Sequence, residues 1–273
     1  MNTNPHPLCL VTGANTGIGF EIARGLAQSG SQVILACRNQ EKGEAARRAI
    51  AGEFQDSNPE LLIIDLASQR SIRNAAADFA AKHSHLDVLV NNAGIAVPSR
   101  QESPDGIELT FATNVLGYHL LTRLLLDSLR KVKTARIINV ASAMAAGLDL
   151  ADVEFKRRSY TQAAAYAQSK QANRMLTWAL AKRLEGSNVT ANAMTPGAVD
   201  TPLLRALAPK YPGRSTAKGA DTVVWLATSP EVAGINGRYW SDRTEEPCEF
   251  EGDEDEGPLW ELCERMTADT QRR

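Results

Sequence analysis

Leu8-Cys9-Leu10-Val11-Thr12-Gly13-Ala14-Asn15-Thr16-Gly17-Ile18-Gly19 decides how the rest of the chain is read. Its first five residues form a short apolar run that reads as a buried strand. Three glycines follow in G-x-x-x-G-x-G spacing, and Phe20 to Ser29 then carries helical periodicity. Strand, glycine-rich turn and helix in that order give such a loop meaning. Glycine permits a tight turn and lets backbone N–H groups approach a pyrophosphate, while the helix N-terminus adds favourable partial charge for the anion. The spacing differs from the commoner G-x-G-x-x-G dinucleotide fingerprint, but the context is the same. Gly13, Asn15, Thr16, Gly17, Ile18 and Gly19 are therefore candidate contacts for a dinucleotide.

Val33 to Cys37 reads as the second strand, and its end is where the adenine ribose of a dinucleotide would lie. A carboxylate there would bind a free 2′-hydroxyl. The chain instead reads Cys37-Arg38-Asn39, and a planar, permanently charged guanidinium suits a 2′-phosphate. The cofactor inferred is NADP(H), with Arg38 as the main contact and Lys42 as a second. Gln40 to Phe54 is a charged, Ala-rich helix. Leu61 to Ile64 is a third strand ending in Asp65-Leu66, where Asp65 either accepts from the adenine amino group or caps the next helix, a task for which Ser68 is better placed. Val88 to Val90 is a fourth strand, followed by Asn91-Asn92-Ala93-Gly94. Small residues after a strand let the backbone approach a ligand, which marks Asn92, Ala93 and Gly94, while Asn91 is read as a tie between strands.

Pro104 to Val132 reads as a helix start and a long apolar helix with a polar Asn114 inside it. Arg136 to Ala141 is a fifth strand, and Ser142 stands at its carboxyl end, the side on which open α/β sheets bind ligands. A charged, irregular segment, Gly147 to Thr161, leads into Tyr166-Ala167-Gln168-Ser169-Lys170 on a long helix. Residues four apart share a helical face, so the phenol and the ammonium can enter one site. The ammonium is expected to favour phenolate and lower the Tyr166 pKa below its usual value of about 10. Val189 to Met194 is a sixth strand, and Thr195-Pro196-Gly197-Ala198-Val199-Asp200-Thr201 a turn near the reacting end of the cofactor. Leu203, Leu204 and Leu207 read either as a flap over a pocket or as a small helix packed on the core. Gly237 to Trp240 is a last short strand, Glu245 to Glu256 a solvated acidic loop, and Pro258 to Met266 a closing amphipathic helix.

Composition narrows the class. The chain has 273 residues and a formal net charge of −2, which argues against a disordered or nucleic-acid-binding protein. Cys9, Cys37, Cys248 and Cys263 include no CxxC pair, so neither a metal site nor a disulfide framework is expected. Met1 to Pro7 is short and polar without an apolar leader, and no apolar run is long enough to span a bilayer. The expected location is cytoplasmic. The expected organisation is one domain over residues 1–273, with 1–142 mainly cofactor-binding and 143–273 mainly substrate-binding.

Taken together, Thr12-Gly13-x-x-x-Gly17-x-Gly19, Asn91-Asn92-Ala93-Gly94, Asn114, Ser142, Tyr166-x-x-x-Lys170 and Pro196-Gly197 make the chain resemble a short-chain dehydrogenase/reductase over essentially its whole length. Ala36-Cys37-Arg38-Asn39, Lys42-Gly43, Tyr166 to Asn173, Leu180 to Leu184 and the ending Gly237 to Leu262 make it most similar to the retinol dehydrogenase, WW-domain oxidoreductase and protochlorophyllide reductase-like branch. The resemblance implies an α/β Rossmann-type fold, a doubly wound parallel sheet of about seven strands with helices on both faces. It implies Tyr166 as general acid/base, Ser142 as the group that polarises a carbonyl oxygen, Lys170 on the nicotinamide ribose, and Asn114 holding a water behind Lys170. By position it adds Pro196, Gly197, Val199 and Thr201 to the cofactor contacts. The implied activity is NADP(H)-dependent hydride transfer between nicotinamide and a ketone, aldehyde or alcohol, with reduction favoured; a non-catalytic NADPH sensor and a C=C reductase are the alternatives. The implied partner is a small carbonyl or alcohol substrate, and both a homodimer and a monomer fit. Two departures stand out. Ser142 and Tyr166 are 24 positions apart (166 − 142), more than in many relatives, and the N-terminal anchor of membrane-bound retinol dehydrogenases is not seen.

Overall fold

The structure, a computed structural model, describes residues 6–268. The reading of the first residues as polar and leaderless falls largely on Met1–Pro5 and lies outside them. The strand β1 (Leu8–Thr12) is buried at every residue because both of its faces are covered. Leu8 and Leu10 face one helical layer, whereas Cys9 and Val11 face the other. That two-sided burial explains why the run is continuously apolar rather than alternating.

Around β1 the sheet also takes in β2 (Gln32–Cys37), β3 (Glu60–Ile63), β4 (Val88–Asn91), β5 (Ala135–Val140), β6 (Val189–Thr195), β7 (Tyr239–Ser241) and β8 (Thr244–Glu246). The order is β3-β2-β1-β4-β5-β6-β7-β8. Pairing is parallel from β3 through β7, with Leu10 set between Ile34 and Leu89. This is a doubly wound α/β sheet of Rossmann type. Its order reverses between β1 and β4, so a crevice opens at their carboxyl ends.

Among the described residues the strand count is eight, not about seven. The addition is β8, which pairs antiparallel with β7. The two-residue turn between them places Asp242 and Arg243 at φ 47° and 62°, the left-handed pair that matches strand twist. Arg243 Nε donates to Asp221 Oδ2 at 2.9 Å and holds the turn. The acidic loop is thus only partly solvated. Its first residues form β8, and Glu256 is buried, accepting from Lys182 Nζ at 2.6 Å and from Gly252 N at 2.7 Å. Tertiary partners, which a charge run does not reveal, account for the difference.

The helices are α1 (Gly17–Gln28), α2 (Gln40–Glu53), α3 (Gln69–Lys82), α4 (Leu109–Phe111), α5 (Gly117–Leu129), α6 (Gln162–Arg183), α7 (Pro202–Leu207), α8 (Thr216–Thr228) and α9 (Glu256–Met266). The single long helix expected over 104–132 is broken. A π-helical turn, Ala112–Leu116, separates α4 from α5, and Gly117 N donates to Ala112 O across it. Such one-turn bulges gather at functional sites. No helix among the described residues is long and apolar enough to cross a membrane.

Buried polar groups tie the layers together. Asn91 Nδ2 donates to Asn139 Oδ1 at 2.9 Å and to Thr122 Oγ1 at 3.0 Å, and Asn139 Nδ2 donates to Thr177 Oγ1 at 2.9 Å. The line runs from α5 through β4 and β5 to α6, and it bears out the reading of Asn91 as a tie. Asn139→Ala takes one buried partner from Asn91 Nδ2 and one from Thr177 Oγ1. It should lower stability by about 1–3 kcal/mol, read as an earlier urea midpoint at unchanged slope.

Candidate active site

The crevice at the β1/β4 reversal encloses about 400 Å³. Its floor is the glycine turn. Gly13 and Gly17 have φ of +69° and +58°, which side chains rarely tolerate. A Cβ on Gly19 would stand 2.3 Å from Gly13 O and 2.5 Å from Asn92 Nδ2. The tightness is built by Thr12, whose Oγ1 accepts from Asn92 N at 2.9 Å and Ala93 N at 3.0 Å, while Asn92 Nδ2 donates to Thr12 O at 2.8 Å. Tyr118 adds a 2.7 Å bond from its hydroxyl to Ala93 O. At the N-terminus of α1, Thr16 makes no side-chain cap. Side chains do cap α2, α3, α6, α7 and α8. The first N–H groups of α1 are thereby left without a side-chain cap at the crevice, whose lining includes Thr16, Gly17, Ile18 and Gly19, and such groups can hold an anion.

At the β2 end the lining includes Cys37, Arg38, Asp65 and Leu66. The Arg38 side chain is 75 % exposed, and its Nη1 stands 4.0 Å from Asp65 Oδ2. A guanidinium so loosely held is free to take an anionic ligand. Ser68, not Asp65, caps α3; Asp65 Oδ1 accepts from Ala67 N at 3.0 Å. Lys42 lies apart from the main crevice, in an adjoining shallow depression with Asn15, Thr16 and Gly17.

The other end brings Tyr166 and Lys170 together with Ser142. Tyr166 and Lys170 lie one turn apart on α6 and are both buried. Ser142 is near enough to the phenol to lower its pKa, and its hydroxyl accepts from Met144 N at 3.1 Å. Lys170 Nζ donates to Val140 O at 2.8 Å and stands 5.6 Å from the centre of the Tyr166 ring. The expected depression of the tyrosine pKa is not found. Burial pushes Tyr166 up to about 12, against the lowering effect of Ser142. Burial likewise pulls Lys170 down to about 7. Desolvation penalises the charged form of each and is the dominant influence on both.

Asn114, buried in the π turn, clasps one residue. Its Oδ1 accepts from Ile95 N and its Nδ2 donates to Ile95 O, both at 2.9 Å, and Nδ2 also donates to Ser169 Oγ at 3.0 Å. The side-chain amide is therefore engaged with protein groups. What it does is fix the wall beside Gly94 and Lys170: a Cβ on Gly94 would lie 3.6 Å from Asn114 Oδ1 and 3.7 Å from Lys170 Nζ.

Of the turn after β6, Pro196 and Thr201 line the crevice with Leu203. Gly197 instead packs under Arg214, and Val199 is buried in a bridge to Arg214. No residue of α7 is buried, so it rests on the crevice rather than in the core. Thr12, Ile95 and Thr113 line the crevice without having been singled out as contacts. Thr12, a hydroxyl ending an apolar strand, was the readable signal; the others depend on tertiary packing. Among the described residues no cluster of His, Cys, Asp or Glu could hold a metal ion.

Comparison with known proteins agrees with this geometry. The short chain dehydrogenase family matches residues 7–212. Retinol dehydrogenase 13 of Homo sapiens is 39 % identical, with 87 % of this chain and 77 % of the relative covered. An uncharacterized protein from Mycobacterium paratuberculosis superposes with a TM-score of 0.78 at 33 % identity, covering 96 % of this chain and 93 % of that one. A short chain dehydrogenase from Escherichia coli CFT073, solved with NADPH, gives 0.73 at 25 % identity, covering 87 % and 97 %. The chain belongs to the short-chain dehydrogenase/reductase family, in its retinol dehydrogenase branch.

Proposed function

We propose that this protein catalyses NADP(H)-dependent hydride transfer between the nicotinamide and an apolar carbonyl or alcohol, with carbonyl reduction the favoured direction. The observation that carries the reading is the pair Tyr166 and Lys170, buried one turn apart on α6 with Ser142 close to the phenol, at one end of a crevice that also takes in an uncapped helix N-terminus. The glycine cradle and the open N–H groups of α1 fit a pyrophosphate, and Arg38 fits a 2′-phosphate. When bound, NADPH supplies the hydride. The structure solved with NADPH at 25 % identity supports the choice of cofactor.

The residues of this chain do the rest. Lys170 spends one N–H on Val140 O and offers its others to a ribose hydroxyl. Ser142, held by Met144 N, donates to the substrate oxygen and turns it toward Tyr166. Tyr166, with its pKa raised, is protonated through neutral pH and hands its proton to the developing alkoxide. Burial keeps bulk water from competing for that oxygen. Ile95, Pro196 and Leu203 line the crevice and Met144 is exposed near Ser142, so the substrate carbon skeleton meets apolar surface. The name of the retinol dehydrogenase relative supports an apolar substrate.

Reduction of all-trans-retinal, smaller aldehydes and ketones, followed by loss of NADPH absorbance, tests the activity; NADPH binding with no turnover on any of them would favour a sensor. Tyr166→Phe should cut kcat by at least about a hundredfold while leaving NADPH affinity unchanged, and retained turnover would remove Tyr166 from proton transfer. Arg38→Asp should raise the KM for NADPH and favour NADH; an unchanged cofactor ratio would remove Arg38 from the site. The phenol absorbance that distinguishes the wild-type protein from Tyr166→Phe should ionise near pH 12 in the free protein, and a midpoint below the ordinary tyrosine value would overturn the assignment of burial as the dominant influence.

A further inference from the structure

Arg174 continues the face of α6 that carries Tyr166 and Lys170, four residues further on. It is only 5 % exposed. Among the described residues no carboxylate lies within ion-pair distance of it, which is unusual for a buried guanidinium. Its partners are neutral. Nη2 donates to Ser142 O and to the Tyr239 hydroxyl, both at 2.6 Å, and the guanidinium lies 3.9 Å from the centre of the Tyr239 ring. Nη1 stands 3.8 Å from Cys248 Sγ, and the Phe250 ring centre is 5.6 Å away.

The other half of the same peptide group is also gripped. Ala143 N donates to Thr195 Oγ1 at 3.2 Å, and that hydroxyl also accepts from Gly197 N at 3.3 Å. The Ser142 carbonyl and the Ala143 N–H belong to one planar unit. Arg174 on α6 and Thr195 on β6 therefore clamp the peptide plane that leaves Ser142. A serine at a strand end otherwise precedes a loop with considerable freedom, and a small misplacement of a reacting group lowers rate steeply.

We infer that Arg174, acting with Thr195, is a positioning residue that fixes the Ser142–Ala143 peptide and so aims the Ser142 hydroxyl at the substrate oxygen. The inference rests on the proposed role of Ser142 and Tyr166. Its chemistry explains why the cation has no acid partner. A neutral carbonyl, a phenol and an aromatic face hold the guanidinium without drawing its donors away from the peptide. Lysine would present a point charge in place of the planar fork and could not serve carbonyl, phenol and ring in the same geometry.

The test compares Arg174→Met, Arg174→Lys and Tyr166→Phe in the full chain, with the carbonyl turned over fastest by the wild type. Arg174→Met should lower kcat by about tenfold or more with NADPH affinity unchanged, and amide hydrogen exchange across residues 142–147 should accelerate while that of α1 does not. Added guanidinium ion should restore part of the lost kcat in Arg174→Met, and Arg174→Lys should recover less than half of it. A kcat within twofold of wild type in folded Arg174→Met, or unchanged exchange at 142–147, would overturn the inference. If Arg174→Met proves unfolded, Thr195→Val releases the other side of the same peptide and must give the same kcat loss and local exchange for the inference to stand. Tyr166→Phe separates the two levels: full turnover in that variant would sink the catalytic reading itself, whereas an inactive Tyr166→Phe beside a fully active Arg174→Met would sink the positioning role alone.

Discussion

The Tyr166 end of the crevice depends on burying two ionisable side chains one helical turn apart. Water would stabilise the charged forms of Tyr166 and Lys170, and the fold removes it. The tyrosine is driven toward the neutral phenol and the lysine toward the neutral amine. Both results follow from α6 having no exposed residue between Ala165 and Ala181, because the sheet, the π turn and α9 cover it from different sides. The Val140 carbonyl that receives the Lys170 donor exists there only because β5 ends at that level. The protonation of this pair is thus a property of helix burial first and of the two residue types second.

A second dependence runs through Thr12. Its hydroxyl collects the N–H groups of Asn92 and Ala93, and Asn92 returns a bond to its carbonyl. The ends of β1 and β4 are locked where the strand order reverses. The glycine turn can then press against Asn92 with no room for a Cβ at Gly19. Ser142 and Thr195, one strand and two strands beyond, extend this row of groups at strand ends toward Tyr166.

Much of this is legible in the amino-acid sequence alone. The glycine turn could be read because strand, loop and helix are local patterns with distinct periods. Asn91 as a tie and Ser68 as a cap were readable because each task needs a particular donor or acceptor at a strand or helix end. Three features were not. The π turn at 112–116 has the same apolar rhythm as the helices it separates. The direction of the Tyr166 shift depends on the depth of burial, to which many distant residues contribute. Charged residues such as Arg174 and Glu256 look like solvent-facing groups in sequence, and only the folded chain supplies their partners.

The hairpin that ends the sheet also has a bearing on how the molecule behaves among copies of itself. An edge strand exposes unpaired N–H and C=O groups and is a template for pairing with another chain. Here that edge is β8, three residues long, exposed throughout, and two of its three residues are glutamates. The turn before it sets its twist through two left-handed residues. A second β8 brought alongside would meet short length, strong twist and like charge together, so the acidic segment acts as a stopper against edge-to-edge aggregation.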